Sequence, residues 1–216
     1  MSAGTVGLQG AERVTVEVLP TKEFSRRHAL RVAAVGGAVF FGGVLIAGLP
    51  RPAISAPSAA QDVEILNFAL VLEHMQSRFY EEAAAAGILE GELSDFVEVV
   101  RGHEREHVDY LTQALGNQAR PAPTFAFGDA LADADAFVTA AVALEDLGVS
   151  AYNGQAANLT PERLAAAATI VSVDARHAAW IRSLAGQTPA RQPTDEALTL
   201  EQVQATIDEL GFMEGK

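Results

Sequence analysis

The chain has 216 residues, 49% of them hydrophobic, and a formal net charge of −13. That apolar content is enough for a sizeable core and excludes disorder throughout. The absence of cysteine excludes disulfides and thiolate metal sites and leaves nitrogen and oxygen as the strong ligands. Residues 1–60 hold six basic and three acidic side chains, whereas residues 61–216 hold nine basic and 25 acidic ones. So acidic a domain is not expected to bind nucleic acid, which requires clustered Lys and Arg.

The first sixty residues read as an export signal. Arg26 and Arg27 precede an uncharged apolar stretch at residues 32–49, and a segment rich in Ala, Ser and Pro extends to residue 60. This order of charged, apolar and small-residue regions is typical of a signal peptide. The paired arginines resemble the twin-arginine signal, although Ala29 stands where Phe is usual and Arg31 where Lys is usual. The resemblance implies the twin-arginine export machinery as a partner and a location in the periplasm, the cell envelope or outside the cell.

A retained membrane anchor is the alternative for the same segment. Residues 32–49 are just long enough to span a bilayer. Cleavage after Ala60 would instead leave Gln61 as the N-terminus. We therefore divide the chain into a twin-arginine-type signal at residues 1–60, a helical domain at residues 61–186 and a linker with a short helix at residues 187–216. Membrane contact is expected only through residues 32–49, if they are retained.

Residues 61–186 predict four long helices, because Ala, Leu and Glu are abundant and apolar residues recur at three- and four-residue intervals. Each helix has a start or stop signal in the sequence. These signals are Gly87 after a first helix from residue 62, Ser94 and Gly116 around a second, Asp133 before a third, and Thr160, Pro161 and Gly186 around a fourth.

The connections predict the topology. The first and third are short and make antiparallel hairpins, whereas the second covers residues 117–132. Sixteen extended residues reach about 50 Å, which exceeds the roughly 35 Å length of such a helix. We therefore expect an all-α bundle in up-down-down-up order with one long crossover. Thr199 and Gln202 predict a capping box for a short fifth helix, with Ile207 and Leu210 packed on the bundle.

The two halves of the domain repeat one arrangement of acids and histidines. The pattern is Leu-Glu, six residues and Tyr, followed by an acid, two residues and His. The first acids are separated from the second by 31 residues in one half and 29 in the other. The two copies consist of Glu73, Tyr80, Glu104 and His107, and of Glu145, Tyr152, Asp174 and His177.

Helical geometry places these acids on faces that are otherwise apolar. Residues seven apart share a face, as do residues three apart, and the first helix adds Ser77 to its inward face. Converging buried carboxylates repel one another unless cations neutralise them, and no Lys or Arg lies on these faces. Two divalent ions would balance four carboxylates, with imidazoles completing the coordination. Fe or Mn suits such ligands; Zn gives no reason for four acids.

This pattern resembles that of the ferritin-like di-iron and di-manganese carboxylate proteins, over about residues 62–184. The resemblance implies that Glu73 and Glu145 are terminal carboxylates, that Glu104 and Asp174 bridge the metals, and that His107 and His177 each bind one metal. Asp174 departs from the family pattern, which has Glu, and its side chain is about 1.5 Å shorter. Asp174 either still bridges or leaves an asymmetric, single-metal or degenerate centre.

Other polar residues lie near these positions. Four aromatic side chains read as core residues, with hydrogen bonds to the metal ligands as the alternative; they are Tyr80, Tyr152, Tyr110 and Trp180. His74 and His103 adjoin the acids but point about 100° away. We expect both to face solvent, with His103 the better candidate for an additional ligand.

Two functions fit the sequence. The first is an exported dimetal protein with ferroxidase-like or peroxidase- or catalase-like redox chemistry. Together with twin-arginine export, the domain looks most like the secreted ferritin-like group that includes desiccation-related proteins. The second function is therefore a non-catalytic stress protein of the envelope that uses the bundle as a scaffold. The sequence does not decide whether the chain is an enzyme, and it leaves the oligomeric state open.

Overall fold

The computed structural model describes residues 56–214, all of which belong to one compact unit. The predicted export signal and the apolar stretch at residues 32–49 lie outside the described residues. Within residues 56–214, no helix is both long enough and apolar enough to cross a membrane. The α-helices are α1 (Ala59–Ala86), α2 (Glu92–Leu115), α3 (Ala134–Gln155), α4 (Pro161–Leu184) and α5 (Leu200–Leu210).

Apart from α1, which begins at Ala59, three residues before its predicted start, the helix ends follow the sequence signals with two exceptions. The Asp133 side chain accepts a hydrogen bond from the Ala136 N–H at 2.9 Å and so caps α3, as predicted. The predicted cap Ser94 is wrong, because α2 begins two residues earlier with Gly91 as its N-cap. Two acidic residues in the first turn of α2 interact favourably with the helix dipole. That turn is therefore stabilised without a side-chain cap.

The second exception is the start of α4. Pro161 is the first helical residue, as predicted, but the Thr160 side chain does not cap its own helix. The Thr160 hydroxyl and N–H both donate to the buried Asp62 carboxylate, at 2.6 and 2.9 Å. Asp62 therefore ties the beginning of α1 to the beginning of α4.

Contacts between side chains show the directions of the helices. Successive contacts run in opposite order along α1 and α3, and likewise along α2 and α4, so each pair is antiparallel. The pairs are Tyr80 with Glu145 and Tyr152 with Glu73, and His103 with His177 and His107 with Asp174. Since α1 and α2 form a hairpin, the order is up-down-down-up, and residues 116–133 form the long crossover. The predicted all-α bundle is confirmed.

The core consists of two apolar clusters separated along the bundle. One includes Phe79, Phe96 and Phe137, and the other includes Leu66, Leu111 and Ile170. On α1, α2 and α4 the inward positions between these clusters are occupied by acids and histidines. The polar residues therefore lie across the middle of the bundle.

The C-terminal segment completes the first cluster. Helix α5 has the predicted capping box at Thr199 and Gln202, and Ile207 is buried in the core as expected. The preceding residues pass so close to α3 that a Cβ at Gly154 would lie 1.7 Å from the Leu198 carbonyl oxygen. Only glycine fits at residue 154 with the segment in this position.

Candidate metal centre

Six ionisable side chains, contributed by four helices, meet in the middle of the bundle. Each occupies an inward position of an amphipathic helix, and none exposes more than 8% of its surface. They are Glu73 on α1, Glu104 and His107 on α2, Glu145 on α3, and Asp174 and His177 on α4. The structure thus brings together all six residues that the repeated sequence pattern singled out.

Glu104 lies between the two histidines. Its Oε1 is 3.0 Å from His177 Nδ1, and its Oε2 is 3.5 Å from His107 Nδ1. Glu73 Oε2 is 3.3 Å from His107 Nδ1, and Glu145 Oε2 is 3.5 Å from His177 Nδ1. The Nδ1 atom of each histidine therefore faces Glu104 and a further carboxylate. That carboxylate is Glu73 on α1 for His107 and Glu145 on α3 for His177.

Asp174 reaches the space between the histidines despite its shorter side chain. Its Oδ1 lies 3.4 Å from His107 Nδ1 and 3.9 Å from His177 Nδ1. Within the part of the chain that the structure describes, two groups of atoms are compact enough to hold a metal ion, with all members of a group within 4.8 Å of one another. These groups are Glu73, Glu104 and His107, and Glu104, Asp174 and His177. Glu104 belongs to both groups, whereas Glu145 belongs to neither and, within the cluster, makes an ion-pair contact only with His177 Nδ1, at 3.5 Å.

Two buried tyrosines donate hydrogen bonds to Glu73 and Glu145, the two outer carboxylates of the cluster. The Tyr152 hydroxyl donates to Glu73 Oε1 at 2.6 Å, and the Tyr80 hydroxyl donates to Glu145 Oε1 at 2.5 Å. Burial and the nearby carboxylate charges raise the pKa of both phenols well above its ordinary value, so both remain protonated donors. Tyr80 and Tyr152 therefore make the hydrogen bonds to the cluster acids that the sequence offered as the alternative.

Glu73, Glu104 and Asp174 have altered pKa values because they are buried close to one another and to the histidines. Burial and the neighbouring charges of Glu73 and Glu145 raise the pKa of Glu104 to about 7, although both histidines oppose that shift. Burial, with the charges of Glu73 and Glu104, raises the pKa of Asp174 well above its ordinary value. The pKa of Glu73 lies below its ordinary value. Burial acts to raise it, but the hydrogen bond and the charge of His107 outweigh that effect.

The pKa values of His107 and His177 are raised, as expected beside carboxylates. Burial lowers the pKa of His107, but Glu104 and Glu73 overcome it and raise that pKa to about 11. Burial likewise lowers the pKa of His177, while Glu104 and Glu145 raise it to about 9. Protons on the imidazoles thus neutralise part of the acid charge, a role that bound cations can also fill.

The cluster also contains most of the unsatisfied polar atoms. Among residues 56–214, six buried side-chain atoms make no hydrogen bond of good geometry, and five of them belong to this cluster, where they make only the ion-pair contacts given above. They are Glu104 Oε1 and Oε2, Glu145 Oε2, Asp174 Oδ1 and His177 Nδ1. Buried polar atoms are normally paired, and these five are oxygen and imidazole donors that metal ions bind. The donor set therefore fits a metal centre.

A surface depression lies over the histidines between α2 and α4. It has a volume of about 480 Å³, and its lining includes His103, His107, His177 and Trp180. His103 is exposed, as expected, but its Nδ1 lies 2.9 Å from His177 Nε2. Burial and the charges of His177 and His107 lower the pKa of His103. His103 thus contacts the outer nitrogen of His177.

The remaining residues that the sequence suggested lie farther out. Tyr110 is 43% exposed and Trp180 is 37% exposed, and the Trp180 ring packs edge-on against Phe96. Among the described residues no hydrogen bond joins Tyr110 or Trp180 to the six clustered side chains. Neither ring is buried as expected for a core residue, and neither makes the suggested bond here. His74 is half-buried rather than solvent-facing.

The sequence reasoning missed Gln76, which contacts the cluster directly. Its amide donates to Glu145 Oε1 at 3.3 Å, and its side chain is buried. Ser77, the residue expected on that face, is only half-buried. A Cβ at Gly148 would lie 3.3 Å from Gln76 Oε1, so the glycine leaves room for this amide. The signal in the sequence was the pairing of Gln76 with Gly148, each three residues after an acid of the repeat.

A helical bundle with one long crossover and a buried cluster of four carboxylates and two imidazoles defines a class of proteins whose interior could hold metal ions. A family model described as the ferritin-like domain matches residues 61–187, and the chain belongs to this family. The match spans α1 to α4 almost completely. A comparison with curated proteins finds no match.

Proposed function

We propose that the chain is an exported dimetal protein that binds two Fe or Mn ions in the cluster. In this proposal Glu73, Glu104 and His107 would hold one ion, and Glu104, Glu145, Asp174 and His177 would hold the other. The observation that carries it is the convergence of five unsatisfied buried donor atoms on one point of a ferritin-like bundle. Asp174 supports two ions rather than one, because its Oδ1 lies between the two histidines.

The proposed chemistry is oxidation of Fe²⁺ or breakdown of peroxide. Iron or manganese, when bound, supplies the change of oxidation state that such reactions with O₂ or peroxide require. The chain contributes the positions of the ligands. The two tyrosine hydroxyls each hold one oxygen of an outer carboxylate, so that the second oxygens, Glu73 Oε2 and Glu145 Oε2, face the histidines. Small reactants would enter through the depression between α2 and α4, which the histidine rings line.

The test of this function compares ligand and surface variants of the reconstituted full chain. Fe²⁺ oxidation by O₂ and peroxide consumption are measured for wild type, Glu104→Gln and Asp109→Asn. Glu104 belongs to both candidate groups, whereas Asp109 is an exposed acid on the same helix. We expect Glu104→Gln to lose the reaction and Asp109→Asn to retain it. A reconstituted wild type that holds neither metal contradicts the proposal.

The second candidate is a stress- or desiccation-related scaffold of the cell envelope without catalysis. It is favoured by the excess of 16 negative charges in residues 61–216, which suits a strongly hydrated surface. A wild type that binds two ions but reacts with neither O₂ nor peroxide supports this candidate. In that case Glu104→Gln should leave cellular stress tolerance unchanged.

Export is part of the proposal and rests on Arg26, Arg27 and the apolar stretch at residues 32–49. The twin-arginine machinery is the proposed partner, with residues 32–49 either cleaved or kept as an anchor. Replacing both arginines by lysine should retain the chain in the cytoplasm in a cell fractionation experiment. Export of this variant at the wild-type rate contradicts the assignment.

A further inference from the structure

The cluster has two halves related by the sequence repeat. One half contains Glu73 and His107, and the other contains Glu145 and His177. The contacts between the two halves are reciprocal. Tyr152 on α3 donates to Glu73 on α1 at 2.6 Å, and Tyr80 on α1 donates to Glu145 on α3 at 2.5 Å. If the repeat were perfect, the two halves would bind a cation equally well.

One departure from this symmetry favours the Glu145–His177 half. Gln76 donates to Glu145 Oε1 at 3.3 Å, from within the core. The position that matches Gln76 on α3 is Gly148, which has no side chain to donate to Glu73. Glu145 is therefore held by two donors, an amide and a phenol, and its second oxygen is fixed towards His177.

A second and independent departure favours the same half. His103 Nδ1 lies 2.9 Å from His177 Nε2, and the two rings are nearly parallel, with an angle of 14° between their planes and centroids 5.1 Å apart, so they meet edge to edge. An imidazole that binds a cation through Nδ1 keeps its proton on Nε2, so His177 donates and His103 accepts. The position that matches His103 on α4 is Val173, whose alkyl side chain offers His107 no acceptor.

The structure assigns the first and tighter metal-binding position to the Glu145–His177 half, with His103 and Gln76 as its positioning residues. This inference rests on the proposed dimetal function and adds an order of filling to it. Hydrogen bonds to the outer nitrogen of a metal-binding histidine fix its tautomer and ring orientation. Because these groups are in place before a cation arrives, less ordering is needed in this half than in the other.

The experiment titrates the metal-free full chain with Mn²⁺ and follows the EPR signal of the free ion. His103→Val copies the side chain at the matching position, and His103→Asn retains an acceptor near the Nδ1 position. His107→Ala and His177→Ala identify which half gives the tight step. Helical circular dichroism checks that each variant is folded.

We expect two binding steps in the wild type. His103→Val should weaken the tighter step by roughly 10- to 100-fold, the usual effect of removing a partner of a ligating histidine, while His103→Asn should stay close to wild type. The tight step should persist in His107→Ala and vanish in His177→Ala. The inference is overturned if His103→Val titrates like wild type or if His107→Ala removes the tight step. With either of these results, the proposed function still stands if the wild type binds two ions. A wild type that takes up neither Mn²⁺ nor Fe²⁺ overturns the inference and the proposed function together.

Discussion

The Tyr152 hydroxyl on α3 donates a hydrogen bond to Glu73 Oε1 on α1 at 2.6 Å in the middle of the bundle. Tyr80 and Glu145 repeat this contact in the opposite direction at 2.5 Å. The two bonds join α1 to α3 and fix one oxygen of each outer carboxylate. The same pair of contacts therefore serves both the packing of the helices and the geometry of the cluster.

Removing the Tyr152 hydroxyl should destabilise the protein. In Tyr152→Phe, Glu73 Oε1 loses its hydrogen-bond donor while still buried, which costs about 1–3 kcal/mol. Urea denaturation of the full chain at pH 7 measures the change in unfolding free energy. Tyr110→Phe is the matched control, since that ring is 43% exposed, and should be close to neutral. Equal effects of the two substitutions would contradict the role given to Tyr152.

Replacing Glu104 by Gln should abolish metal binding without lowering the stability of the metal-free protein. Glu104 has its pKa raised to about 7 because burial and two neighbouring acids disfavour its charge. At pH 8 Glu104→Gln removes a buried charge of a crowded set, so the metal-free variant should melt no lower than wild type. Addition of Mn²⁺ should then raise the melting temperature of wild type only. A large loss of metal-free stability would show that Glu104 serves the fold rather than a metal.

The stability of the metal-free protein should fall as pH rises from about 5 to 9. The pKa of Glu104 rises from 4.5 to about 7, and the pKa of His177 rises from 6.5 to about 9. The folded state thus binds more protons than the unfolded state, and stability decreases with pH by up to about 1.4 kcal/mol per unit for each extra proton. The lowered pKa of Glu73 acts below pH 4.5, outside this window, whereas the lowered pKa values of His74 and His103 oppose the trend only below pH 6.5.

Melting temperatures at pH 6 and pH 9, with and without Mn²⁺, test this expectation. Cations compete with the protons, so the stabilisation by Mn²⁺ should be larger at pH 9. Metal-free protein that is more stable at pH 9 than at pH 6 would contradict the assigned pKa directions.

Gly154→Ala should detach the segment that leads into α5. The added Cβ would lie 1.7 Å from the Leu198 carbonyl oxygen, a backbone atom that cannot move without its segment. We expect a lower melting temperature and faster proteolysis within residues 187–199. Gly102→Ala is the control, because it lies in α2 with nothing within 4 Å and should stabilise the helix by about 0.5–1 kcal/mol. Unchanged proteolysis of Gly154→Ala would contradict the close packing.

The sequence sufficed for the bundle and for the six clustered residues, because helix periodicity shows which side chains share an inward face. It did not show how far each helix is rotated against its neighbours. His103 lies about 100° from Glu104 on α2, yet its imidazole reaches His177 because α4 packs beside that edge. Gln76 was missed for the same reason, since its burial depends on the space left by Gly148 on another helix.

The most direct test of the dimetal assignment is anomalous scattering at the Fe and Mn edges from crystals of the reconstituted full chain. The account predicts two peaks of the bound metal, one beside His107 Nδ1 and one beside His177 Nδ1, with the Glu104 carboxylate between them. Crystals without a peak at the cluster, or with metal only at the surface acids, would contradict it.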